Sequence, residues 1–149
     1  METAIGDLSQ VIQYSIVDES MLRGYILDII EAVQLMSMEK VFHGDLHIRQ
    51  IFIVLRNITD CESLRNAVIG DFGEHLRIES PTMHLSDLKI FFKSLLEMID
   101  YVENSEKFTL KISSCLDFIS RQSVKIDLND LSYDIESIKS DMSHIRNFF

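Results

Sequence analysis

Between residues 19 and 38 the apolar side chains return at helical spacing: Leu22, Tyr25, Ile26, Ile29, Ile30 and Val33. A stripe of that period predicts an amphipathic helix over 19–38. Asp18 stands where a cap belongs, and Glu19 favours the positive end of the first turn. Gly24 weakens the helix by up to about 1 kcal/mol against alanine, or marks a close helix contact. From Val41 the pattern changes. Gln50 to Leu55 is β-branched and aromatic and predicts a short strand, Asn57 to Asn66 a polar loop, and Asn66 to Ile69 a second strand. Two strands so joined can pair as a hairpin.

Helical patterning then returns. Leu85 to Val102 is strongly apolar, with only Asp87, Lys89, Lys93, Glu97 and Asp100 charged, which predicts a largely buried helix. Leu110 to Ile119 predicts a shorter one. Over 128–149, apolar side chains fall at 128, 131, 135, 138, 142, 145 and 149, in steps of three and four, and predict a C-terminal amphipathic helix. Such a stripe packs against its own domain more often than against a partner. The expected class is mainly α with a small β-hairpin, an α+β fold in one domain over 1–149.

Composition narrows the function. Apolar residues make up 46% of the 149, which is enough for one core, and a single proline and five glycines leave few helix breaks. The net charge of −10 disfavours nucleic acid and anionic membrane as partners. No apolar run is long enough to span a bilayer. The first eight residues carry Glu2 and Asp7 and lack a basic apolar leader, so an intracellular, cytoplasmic location is expected. Cys61 and Cys115 make no metal-ligand spacing with each other or with the five histidines, and are expected to be reduced.

Chemistry concentrates in 41–73. The run His43-Gly44-Asp45-Leu46-His47 is followed by Gln50-Ile51-Phe52-Ile53 and then by Ile69-Gly70-Asp71-Phe72-Gly73. In order and spacing these segments resemble the catalytic loop, hairpin and metal-binding turn of protein kinases. Asp-Phe-Gly alone is weak, but both motifs in register are much stronger. Gly6-Asp7-Leu8 before the 19–38 helix resembles the segment that follows the hinge, so residues 1–17 are hinge-like. Ser86-Asp87-Leu88 opening an apolar helix resembles the buried central helix of the larger kinase lobe.

The resemblance implies roles. Asp45 would orient or deprotonate the attacking hydroxyl. Asp71 would bind Mg2+, a hard ion that prefers carboxylate oxygen, with Gln50 in the place of the family's second metal ligand, an asparagine. Phe52 would floor the adenine pocket. His43 and Phe72 would stack in the column that links the loop to the core, beside Gly73. Asp87 would tie the buried helix to the loop backbone. ATP and Mg2+ are therefore expected only where activity survives.

Three departures weigh against activity. The glycine-rich loop, phosphate-binding lysine and helical glutamate of the family's upper lobe have no counterpart. Only Glu74 to Ser86 connects the metal turn to the buried helix, with Ser80-Pro81-Thr82 the nearest thing to Ala-Pro-Glu. Gly44 replaces the family's arginine, so a phosphorylated loop would lack its guanidinium partner. Each lost electrostatic contact of this kind costs about 2.7–4 kcal/mol of barrier. The expectation is a large kinase lobe without its small lobe, a pseudokinase-type regulatory or interaction module. A second protein, a second copy, or residues 1–17 would cover the vacant upper surface, and the binding face would be that surface, the 128–149 stripe, or both. The alternatives are a Ser/Thr-type protein kinase completed by another chain or by upstream sequence, and a small-molecule phosphotransferase, many of which also use His-Gly-Asp-Leu-His.

Overall fold

A computed structural model describes residues 2–57, 63–70, 83–126 and 134–149. The chain runs β1 (Glu2–Asp7), α1 (Leu8–Tyr14), α2 (Glu19–Met38), β2 (Ile51–Asn57), β3 (Ser63–Ile69), α3 (Met83–Leu96), α4 (Glu106–Lys125) and α5 (Ile135–Arg146). Short 3₁₀ turns at Ile48–Gln50 and Ile99–Tyr101 precede β2 and follow α3. The protein is mainly helical with one small antiparallel sheet, an α+β architecture.

The expected hairpin is present, with longer strands than predicted, since residues 63–65, expected in the loop, belong to β3: β2 pairs antiparallel with β3 from Ile51↔Ile69 to Asn57↔Ser63. It is not the whole sheet. β1 adds to the other side of β2, giving the order β1-β2-β3, with a register shift between Ala4 and Gly6. The segment expected to be hinge-like is therefore a strand followed by a helix. Asp7 makes that turn possible. Its carboxylate accepts the Gln10 N–H at 3.0 Å while the Gln10 side chain accepts the Asp7 N–H at 3.1 Å, a reciprocal capping box.

Helix α2 has the predicted bounds and cap, with Asp18 accepting the Met21 N–H at 2.8 Å. Its stripe from Leu22 to Val33 is buried. Lys40, at φ +56°, reverses the chain after the helix, and the Val41 N–H returns to the Met36 carbonyl at 2.9 Å. Side chains alternate across the sheet. Ile51, Ile53 and Ala67 join the helical core, whereas Val68 is exposed and Phe52 half-buried.

Three helical boundaries differ from the pattern. α3 stops at Leu96, although apolar Met98, Ile99 and Val102 continue; a chain of three-residue turns carries them into the core instead. α4 extends beyond the predicted stretch at both ends. In the C-terminal region the described helix is Ile135–Arg146; positions 128 and 131 of the stripe lie outside the described residues.

The stripe turns inward. Met142 and Ile145 are fully buried, Ile138 and Phe149 pack against the same core, and the Phe149 ring stacks on Phe92 at 5.5 Å. Each buried aliphatic side chain contributes about 1.5–3 kcal/mol. At these positions the stripe packs against its own domain, while Ile135 at the start of α5 is 47% exposed. A buried polar cluster adds register: Asp141 of α5 meets His84 of α3 at 3.4 Å and the Gln122 amide of α4 at 3.0 Å.

Candidate functional site

The loop from Val41 to Gln50 lies against α3, and two side chains of that helix hold it. Asp87 is 1% exposed, and its two carboxylate oxygens accept the N–H groups of His43 and Gly44, each at 2.9 Å. Burial pushes the Asp87 pKa up, while the two backbone donors pull it back. Seven residues on, Ser94 lies two turns along the same face. Its hydroxyl accepts the Ile48 N–H at 3.1 Å and donates to the Phe91 carbonyl at 2.8 Å. The loop is thus pinned at both ends to one helix, and Leu46 and Ile48 are buried between the pins.

Within the loop the backbone folds on itself. The Asp45 N–H donates to His43 Nδ1 and the Arg49 N–H to His47 Nδ1, both at 3.2 Å. In both contacts the ring nitrogen is the acceptor. Among the described residues no group of three His, Cys, Asp or Glu side chains could hold a metal. Gly44 sits at φ +88°, and a Cβ there would meet nothing within 4 Å. The glycine is required by backbone conformation, not by space: an arginine here would be strained. Asp45 projects into solvent at the crest of this turn.

The loop then passes into the sheet. The Gln50 N–H bonds the His47 carbonyl at 2.9 Å, and the Gly70 N–H bonds the Gln50 carbonyl at 2.8 Å. Gln50 and Gly70, the residue before Asp71 in sequence, are thereby adjacent. The Gln50 side-chain oxygen is buried without a hydrogen-bond partner, an orphan acceptor of the kind a hard cation takes. The Phe52 ring presses on Gly70, where an added Cβ would come within 2.6 Å of it. Phe52 pairs with Asp7 on one side and Val68 on the other. With Val68 38% and Ile5 44% exposed, the sheet carries apolar side chains open to solvent.

The structure brings Asp87 to His43 and Gly44, and Gln50 to Gly70. Asp71, Phe72 and Gly73 lie outside the described residues, as do the 74–82 connection and Cys61. Sequence reasoning missed Ser94. A serine seven residues after Asp87, on the same face of a largely apolar helix, was the available signal, because a buried hydroxyl needs a partner. It also read Gly24 as a possible close contact, whereas a Cβ there would meet nothing within 4 Å. No helix among the described residues is long and apolar enough to cross a membrane. No family profile matches the chain, and no curated protein matches it either.

Proposed function

We propose that this chain is a kinase-like large lobe that acts as a catalytically impaired regulatory or interaction module. The observation that carries the proposal is the paired grip of Asp87 on the His43 and Gly44 N–H groups. That grip fixes the backbone beside Asp45 from a helix more than forty residues later, which is the positioning a phosphoryl-transfer loop needs. The unpartnered Gln50 oxygen and the half-buried Phe52 ring support a residual nucleotide–Mg2+ seat. Bound ATP and Mg2+ would supply the transferable phosphoryl group and its charge neutralisation. Gln50 and Asp71 would hold the metal, Phe52 would floor the adenine, and Asp45 would orient a hydroxyl.

Turnover by this chain alone is impaired for a reason of sequence. The five glycines stand at 6, 24, 44, 70 and 73, and no two make the Gly-x-Gly needed to cradle phosphates. The open apolar face around Phe52, Val68 and Ile5 suits a protein partner or a second copy.

The test is nucleotide binding by the purified chain, with and without Mg2+, against Asp71→Ala, together with a kinase assay against Asp45→Asn. Weak Mg2+-dependent binding lost in Asp71→Ala, without turnover, is the expected result. Phosphorylation of protein substrates abolished by Asp45→Asn would replace the module with a working kinase. Turnover on small alcohols would point to the small-molecule phosphotransferases, and absence of any binding would remove the nucleotide seat.

A further inference from the structure

On the side of α2 near its start, three features have no explanation in the fold, and all three line one open pocket of about 550 Å³. The first is Gly24, in the interior of a twenty-residue helix. A helix-interior glycine costs stability, and no neighbour of Gly24 comes within 4 Å of where a Cβ would sit. The second is Tyr25, 2% exposed, whose buried hydroxyl has no acceptor for its proton. The third is Arg65 of β3, which forms no salt bridge among the described residues. The Arg65 guanidinium lies beside the Tyr25 hydroxyl and faces its oxygen as a donor, which leaves the hydroxyl proton without an acceptor.

The nearby acidic groups are committed elsewhere. Asp18 caps Met21, and Asp28 accepts the Ala67 N–H at 3.1 Å and the Asn66 amide at 3.4 Å. Neither neutralises Arg65 directly. Burial raises the Tyr25 pKa, the adjacent Arg65 guanidinium pulls it partly back and Asp18 and Asp28 add to the rise, so the phenol keeps its proton and remains a donor. The wall thus offers a guanidinium, a phenol O–H and the Ser20 hydroxyl on one side, with Ile16 and Met21 as apolar lining.

We propose that this pocket binds a carboxylate carried on an apolar arm, either an acidic side chain of a protein segment or a free carboxylic acid. The planar guanidinium fork of Arg65 matches a carboxylate, which also gives the Tyr25 hydroxyl the acceptor it lacks. A doubly charged phosphate fits less well, because Asp18 and Asp28 stand close by and the chain carries −10 overall. The apolar arm lies against Ile16 and Met21 in the space that Gly24 leaves open. This site is separate from the Asp45 loop and stands whether or not the kinase-like reading does.

The test uses the full chain labelled with ¹⁵N. The probes are isocaproate, its neutral amide isocaproamide, inorganic phosphate, and a blocked Leu-Glu-Leu peptide. Saturable shifts at residues 16–25 and 65 are expected with isocaproate or the peptide, and not with the amide. Arg65→Gln is expected to weaken binding about tenfold or more. Gly24→Leu is expected to abolish it while raising the melting temperature, which separates a filled pocket from a damaged fold. Tighter binding of the peptide than of isocaproate assigns the carboxylate to a protein partner; the reverse assigns it to a small acid. Equal response to acid and amide, preference for phosphate, binding unchanged in Arg65→Gln, or no saturable shift with any probe would overturn the proposal.

Discussion

The Asp87 carboxylate accepts the backbone N–H of Gly44 across 43 positions of sequence, and one residue earlier in the loop His43 donates to its other oxygen. An unpaired buried N–H costs about 1–3 kcal/mol, so Asp87→Ala is expected to destabilise the chain by about 2–5 kcal/mol in urea unfolding. A loss below about 0.5 kcal/mol, the range of ordinary surface substitutions, would show that the grip contributes little.

Asp87 also makes a pH-dependent prediction. Burial raises its folded pKa above the ordinary 3.8, so the folded state holds this proton more tightly than the unfolded state. Its stabilising contribution is then full below about pH 3.8 and is lost as pH rises through the folded pKa. Asp87→Asn lacks the titration. The stability advantage of wild type over Asp87→Asn is expected to be largest in acid and to shrink towards neutrality, measured by urea unfolding across that range. An advantage that grows with pH would reverse the sign assigned here.

Ser94 is the second pin, and its effect should be smaller. Ser94→Ala leaves the Ile48 N–H without an acceptor inside a buried region, for an expected loss of about 1–3 kcal/mol. Amide exchange should locate the damage: protection falls at Ile48 in Ser94→Ala and at His43 and Gly44 in Asp87→Ala. Identical exchange changes in the two variants would mean that the loop opens as one unit.

How much of this was legible depended on whether a signal was local. The 19–38 helix was fully readable because cap, period and first-turn charge agree within one segment. The hairpin was readable from β-branched runs. β1 was not, because Glu2-Thr3-Ala4-Ile5-Gly6-Asp7 lacks strand composition and is a strand only by pairing with β2. The Asp7…Gln10 spacing was a readable cap, passed over because Gly6-Asp7-Leu8 was read as hinge-like. The end of α3 carried no local signal, since apolar residues continue past Leu96 and only tertiary packing turns them inward. In the site, Asp87 was found through resemblance and Ser94 was missed, because one serine identifies its donor only when the loop is in place.

Gly70 and Phe52 are expected to behave as a coupled pair. A methyl group at 70 would lie 2.6 Å from the Phe52 ring, so Gly70→Ala forces the ring or the strand to move, at about 1–3 kcal/mol. In Phe52→Ala that collision is absent, and adding Gly70→Ala should cost much less. A double-mutant cycle reads this as strong non-additivity. Additive losses would mean that the ring relaxes freely, and Phe52 would then be a poor rigid floor for a nucleotide base.

Cys115 supplies the last prediction. It is fully buried in α4, and burial pushes its thiol pKa from 9.0 up to about 12. The folded thiol keeps its proton where the unfolded one has lost it, so its contribution to stability is complete below about pH 9 and declines as pH rises towards 12. Tyrosines and lysines titrate in the same range, so the readable quantity is the difference between wild type and Cys115→Ala, which is expected to narrow as pH rises from 9. At neutral pH an aromatic disulfide reagent should modify Cys115 only as fast as the chain unfolds, with peptide mapping to separate it from Cys61. Rapid modification of Cys115 in the absence of denaturant would show that α4 opens locally and that the core around Phe108, Ile112 and Ile119 is less firmly closed than its burial implies.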